Sequence, residues 1–177
     1  MKVAYQGVAG AFSHQAALAF AAEYEPVARP TFEAVIEAVE AGEAQRGILP
    51  VENSRAGPVP EVQALLAQNR LQVLARHPLP VRMHLLGLKG SRLEDIRTAV
   101  SHPMALQQSA ETLARLGLAA EPAANTAVAA QTLDDPAKGV LASEWAANAY
   151  GLDILMRDVH DDPHNTTHFV LLESLRA

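Results

Sequence analysis

The sequence contains no cysteine, which excludes disulfides, zinc ribbons, iron–sulfur centres and thiol nucleophiles. No apolar run approaches the ~18 residues of a membrane span. The opening Met1-Lys2-Val3-Ala4-Tyr5-Gln6-Gly7 reads as a strand, not a signal peptide, so a cytoplasmic protein is expected. Positive charge is short: the net charge is −6. Nucleic acid, which needs a basic face, is not an expected partner. No Gly-Lys-Ser or Gly-Lys-Thr occurs, and Gly7-Val8-Ala9-Gly10 is only a fragment of a dinucleotide fingerprint, so no nucleotide cofactor is indicated. What is present is ordinary for a folded protein: 177 residues, 49% apolar and 19% charged, enough for one domain or two small lobes.

Strand-like and helix-like segments alternate. Lys2–Tyr5 is a short apolar run closed by Gly7 and Gly10. Phe12–Ala22 carries a helical stripe, and Thr31 caps a second helix bearing Phe32, Val35, Ile36 and Val39. Gly47–Val51 reads as a strand and Pro60–Gln68 as a helix. Leu71–Gly87 alternates but is interrupted by Pro78 and Pro80, and proline is poorly tolerated in a central strand. An extended passage between lobes is expected there. Strands then follow at Thr98–Ser101, Ala119–Glu121, Gly139–Ala142 and Phe169–Leu172, with helices at Pro103–Leu116, Thr126–Leu133 and Glu144–Tyr150. The pattern predicts an α/β fold with mainly parallel sheets, two lobes and a cleft, with any ligand at the carboxyl ends of the strands.

Four strand-to-helix junctions carry small polar residues: Gly10-Ala11-Phe12-Ser13, Glu52-Asn53-Ser54, Ser101-His102-Pro103 and Ala142-Ser143-Glu144. Helix starts with free N–H groups suit a carboxylate or phosphate. Each serine also has a plainer reading as an N-cap contributing ~1 kcal/mol. His160, His164 and His168 recur every four residues, and on a helix they would share a face as metal ligands. Pro163 and Asn165-Thr166-Thr167 oppose a helix, so a loop leading into a strand is expected.

Taken together, these segments resemble the catalytic domain of the prephenate dehydratases, relatives of plant arogenate dehydratase. Tyr5–Ser13 resembles the opening motif, Leu49-Pro50-Val51-Glu52-Asn53-Ser54 the Pro-[Ile/Val]-Glu-Asn-Ser segment, and Ser101-His102-Pro103 the Ser-His-Pro-Gln segment. Leu141-Ala142-Ser143-Glu144 with Ala146, Ala147 and Tyr150-Gly151-Leu152 follows the next motif, and Asn165-Thr166-Thr167-His168-Phe169 the Asn-x-Thr-Arg-Phe signature. The resemblance implies two Rossmann-like or periplasmic-binding-protein-like lobes, residues 1–78 with 165–177 forming the first and 79–164 inserted as the second. It implies decarboxylation and dehydration of prephenate to phenylpyruvate in phenylalanine biosynthesis, with no metal or organic cofactor, and a homodimer. Thr167 is implied as the proton donor or its relay. Ser13, Glu52, Asn53, Ser54, Ser101, His102, Ser143, Asn165, His168 and Phe169 are implied to contact the small-molecule substrate.

Three positions depart from the pattern: His168 stands for the signature arginine, Met104 for a glutamine, and Pro58 for a serine or threonine. His168 replaces a permanent charge with a titratable one. These departures give two further readings: an arogenate-preferring dehydratase, or a non-catalytic module binding small carboxylates. Family members usually continue into a phenylalanine-binding ACT domain, and the sequence ends at Ala177. Catalysis without phenylalanine inhibition in cis is expected.

Overall fold

A computed structural model describes residues 1–175 of the chain; the last two positions of the expected first lobe lie outside them. The chain divides into two units, the first comprising 1–8, 12–81 and the segment from Asn165 onward, the second Ala9–Ala11 and Arg82–His164.

In the first unit the order is β1 (Lys2–Gln6), α1 (Phe12–Phe20), β2 (Glu25–Arg29), α2 (Phe32–Glu40), β3 (Arg46–Asn53), β4 (Gly57–Pro58), α3 (Pro60–Leu66) and β5 (Leu71–Pro80). The last strand of the chain, β11 (Thr166–Ser174), completes the sheet, ordered β2-β1-β3-β11-β5 with β4 beside β3. β1 runs parallel to β2 and β3, whereas β11 runs antiparallel to both β3 and β5. Side chains alternate across a strand, and the core follows that period. Ala4, Leu49, Val51, Val170 and Leu172 pack with Val35, Ile36 and Val39 of α2 and Val62 of α3. Val3, Tyr5, Ile48 and Phe169 pack with Ala16 and Ala17 of α1. Thr31 caps α2 as expected, its Oγ1 accepting from the Ala34 N–H at 3.1 Å.

Within Leu71–Gly87, expected as an extended passage between lobes, Leu71–Pro80 is instead a ten-residue strand. β5 lies at the sheet edge, where a proline's missing N–H faces away from the ladder. β2 has the same character: Pro26 weakens its strand signal, and it too is an edge.

In the second unit β6 (His84–Gly87), β7 (Thr98–Ser101), β8 (Ala119–Pro122), β9 (Lys138–Ala142) and β10 (Asp153–Met156) form a sheet ordered β10-β6-β9-β7-β8. β7 is parallel to β8 and β9, while β6 is antiparallel to β9 and β10. Both sheets are therefore mixed, with parallel cores. α6 (Thr126–Gln131) and α7 (Glu144–Tyr150) pack alanines 129, 130, 146 and 147 against Leu86, Val140 and Ala142. The single helix expected over 103–116 is two, α4 (Pro103–Gln107) and α5 (Ala110–Leu116). The break has a partner in Asp161, whose carboxylate accepts from the Glu111 and Thr112 N–H groups at 3.0 and 3.1 Å. Two buried histidines tie Met83 and His84 to the loop that follows β10. Met83 N–H donates to His160 Nδ1 at 3.2 Å, and Asp158 N–H to His84 Nδ1 at 2.9 Å.

Candidate active site

In the first unit the β3–β4 turn meets the start of β11. Asn53 ends β3, and its Oδ1 accepts from the Arg55 and Ala56 N–H groups, each at 2.9 Å. That fixes the amide's orientation, because the oxygen must face two donors. Its Nδ2 then points at two acceptors, Asn165 Oδ1 and Thr167 Oγ1, both at 2.9 Å. Thr167 stands directly opposite Asn53 in the strand register. Because Thr167 Oγ1 receives Asn53's hydrogen, the threonine's own O–H is left to donate, and its residue is only partly buried. Ser54 extends the pairing: its N–H donates to Thr166 O at 2.8 Å, and its Oγ accepts from Thr166 N–H at 2.9 Å.

The register with β5 runs unbroken from Thr166 to Leu171. Phe169, 1% exposed, is packed with α1, and Val170 with α2. Alternation places Thr167 on Phe169's face and His168 on Val170's. Arg76 pairs opposite Val170 and forms an ion pair with Glu52. So Asn53, Asn165 and Thr167 come together, whereas Glu52 and His168 belong with Arg76. The Glu52–Arg76 pair is half-exposed and contributes little to stability. His168 Nδ1 is buried and has no hydrogen-bond partner among the described residues. Ser13 is the second residue of α1 and buried. His14 next to it stacks on Tyr5 at 5.0 Å between centroids, and burial pushes its imidazole below the usual range.

In the second unit Ser143 caps α7, its Oγ accepting from Ala146 N–H at 3.1 Å and donating to Gly10 O at 2.8 Å. Tyr150 at the other end of α7 donates its O–H to Ala9 O at 2.6 Å, and burial pushes its phenol pKa up. These two hydroxyls seat Ala9–Ala11 on α7. Gly10 lies at φ +83°, and a Cβ there would sit 2.6 Å from Ala146 Cα, so the approach is open only to glycine. Ser101 is fully buried, its Oγ donating to Leu141 O at 2.8 Å beside Thr126 Oγ1 at 3.1 Å. It ends β7, and the cap of α4 is His102, whose Nδ1 accepts from Met104 N–H at 3.2 Å. His102 and Met104 are exposed, and Pro58 lies in β4 opposite Glu52. Arg157 holds the Glu144 carboxyl below the usual carboxylate range.

Sequence patterning gives no role to Arg76, Thr126 or Tyr150. Tyr150 lies in the Tyr-Gly-Leu part of a family motif, but its acceptor is 141 residues away. Arg76 lay in the stretch that the prolines disguised.

The sequence matches the family profile described as prephenate dehydratase over residues 3–176. It is 41% identical to the Arabidopsis thaliana protein named arogenate dehydratase/prephenate dehydratase 1, chloroplastic, over 97% of this chain and 45% of that one. The chain thus spans about half the length of the curated relatives it matches. The structure is similar to that of GqqA, described as a novel type of quorum quenching acylases, at TM-score 0.92 and 35% identity, covering 100% of this chain and 65% of that one. It is also similar to prephenate dehydratase in complex with L-Phe from Arthrobacter aurescens, at TM-score 0.91 and 25% identity, covering 100% of this chain and 61% of that one. The methionine binding protein MetQ, at TM-score 0.52 and 13% identity over 99% of this chain and 83% of that one, shares the fold alone.

Proposed function

The chain belongs to the prephenate dehydratase family, and from that membership we propose that it converts prephenate to phenylpyruvate, with Thr167 delivering the hydrogen bond that releases the ring hydroxyl. The carbon–carbon bond to the ring carboxylate breaks as carbon dioxide leaves, and its electron pair enters the ring. The ring carbon–oxygen bond breaks, and that oxygen takes a proton and leaves as water. Aromatisation drives both steps. The protein's task is to orient the ring and to stabilise the departing oxygen.

One observation carries this reading: Asn53 holds Thr167 Oγ1 as an acceptor, so the threonine hydrogen is aimed elsewhere. A threonine hydroxyl is a poor acid, so it acts as a pre-oriented donor to the leaving oxygen, with solvent supplying the net proton. A donor aimed at developing charge is worth ~10²–10³ in rate.

The test is product formation by the purified chain: phenylpyruvate from prephenate and, separately, phenylalanine from arogenate. Thr167→Ala is expected to lower kcat about 10²–10³-fold, and Thr167→Ser to keep most of it. Turnover only from arogenate would change the substrate. No turnover from either, with both bound, would favour a carboxylate-binding module. Full activity in Thr167→Ala would remove Thr167 from the chemistry.

A further inference from the structure

We propose that Ser54 is a positioning residue, one that sets the Thr167 hydroxyl through the backbone of Thr166 instead of touching substrate. This rests on the reading of Thr167 as the donor to the leaving oxygen.

The ladder between β3 and β11 reaches Asn53 opposite Thr167. There the β3 backbone turns away, since Arg55 and Ala56 fold back onto Asn53 Oδ1. With the turn begun, Ser54 supplies the acceptor for the Thr166 N–H from its side chain at 2.9 Å, while its own N–H donates to Thr166 O at 2.8 Å. The two bonds form a closed pair, with a hydroxyl oxygen standing in for a ladder carbonyl. They hold Thr166 from both of its peptide groups, and Thr167 is the next residue. Asn53 orients the threonine oxygen, and Ser54 holds the backbone from which that oxygen projects. Alanine at 54 keeps the N–H bond and loses only the acceptor, so the change is confined to the placement of β11's first residues.

Small misplacements of a reacting group are costly, up to ~10²-fold for roughly 1 Å. Ser54→Ala is therefore expected to lower kcat about tenfold while leaving KM within about twofold. Ser54→Thr, which keeps the hydroxyl, is expected to recover most of the rate. In a Thr167→Ala background, Ser54→Ala is expected to add no further loss, because residues acting through one group are not additive. Hydrogen exchange at the Thr166 amide is expected to quicken in Ser54→Ala.

A rise in KM at constant kcat would overturn the inference, making Ser54 a substrate contact. Losses that multiply between Ser54→Ala and Thr167→Ala would also overturn it, as would an unchanged rate. If Ser54→Ala is impaired while Thr167→Ala is fully active, the reading of Thr167 has failed, and this inference with it. If Thr167→Ala is impaired and Ser54→Ala is not, only the inference falls.

Discussion

Replacing Gly10 by alanine is expected to destabilise the second unit by about 3 kcal/mol, and the structure allows that figure to be split. The backbone at Gly10 has φ +83°. Forcing an L-residue into that region costs about 1–2 kcal/mol, partly offset by about 0.4–1 kcal/mol because alanine narrows the unfolded ensemble. The larger part is contact. The added Cβ would lie 2.6 Å from Ala146 Cα, 3.0 Å from Ala146 Cβ and 3.1 Å from Ala146 N. Two of these are backbone atoms within a helix and cannot rotate aside. Overpacking of this kind costs about 1–3 kcal/mol. Pushing Gly10 off α7 also strips Ser143 of its acceptor, worth about 1 kcal/mol. Gly117→Ala is the control: φ is +67°, yet none of the described residues lies within 4 Å of the added carbon. It bears the conformational term alone and is expected to cost about 1 kcal/mol. Urea titrations followed by Trp145 fluorescence compare the two, since the chain's single tryptophan is on α7 beside Ala146. With urea slopes of about 1–3 kcal/mol/M, the midpoints should differ by roughly 1 M. Equal midpoints would refute the reasoning and mean that Ala9–Ala11 does not rest on α7 in solution.

Acid is expected to destabilise the chain in part through His84. Burial holds its imidazole below 6.5, with Asp158 opposing less strongly. As pH falls through about 6.5 the unfolded chain takes up a proton that the folded chain refuses, so stability drops from there down to the folded pKa and is level above. The slope from this group is at most about 1.4 kcal/mol per pH unit. His84→Asn keeps an acceptor for the Asp158 N–H but cannot titrate, and it should flatten that slope in urea midpoints between about pH 7.5 and pH 5; identical slopes would sink the assignment. Ser109 Oγ is fully buried with no hydrogen-bond partner among the described residues, so Ser109→Ala should leave stability unchanged or raise it by up to about 1 kcal/mol. A clear fall in its urea midpoint would show that the hydroxyl has a partner in solution.

Local signals carried much of the fold. Thr31 before a 3.6-period stripe locates α2, and the apolar runs locate β1, β3, β7 and β9. β2 and β5 escaped because a proline sits in each, and the penalty for proline in a strand applies only where the missing N–H has a partner to lose. Whether a strand is an edge depends on residues far along the chain. The break between α4 and α5 escaped for a similar reason, since the group that satisfies it, Asp161, comes 50 residues after Glu111. At the candidate site the motifs drew attention to Asn53, Ser54, Asn165 and Thr167, but the direction of the hydrogen bonds did not follow from them. Asn53 and Thr167 are 114 positions apart, and only the strand register brings them opposite. The motif serines divide by what their hydroxyls meet. Ser101 and Ser143 donate to backbone carbonyls and build the scaffold, while Ser54 accepts from the strand that carries Thr167.

The edge prolines also bear on how the protein behaves when concentrated. An exposed strand edge offers unpaired donors and acceptors to any other chain, the usual opening to sheet-to-sheet aggregation. Pro26 sits in β2, Pro78 and Pro80 in β5, and Pro122 in β8, which among the described residues make three of the four strands that end the two sheet paths. The fourth, β10, carries a register shift between Ile154 and Met156. Each border is thus interrupted by a missing donor or a local irregularity. The same residues that hid two strands from sequence patterning leave a poor template for an incoming strand.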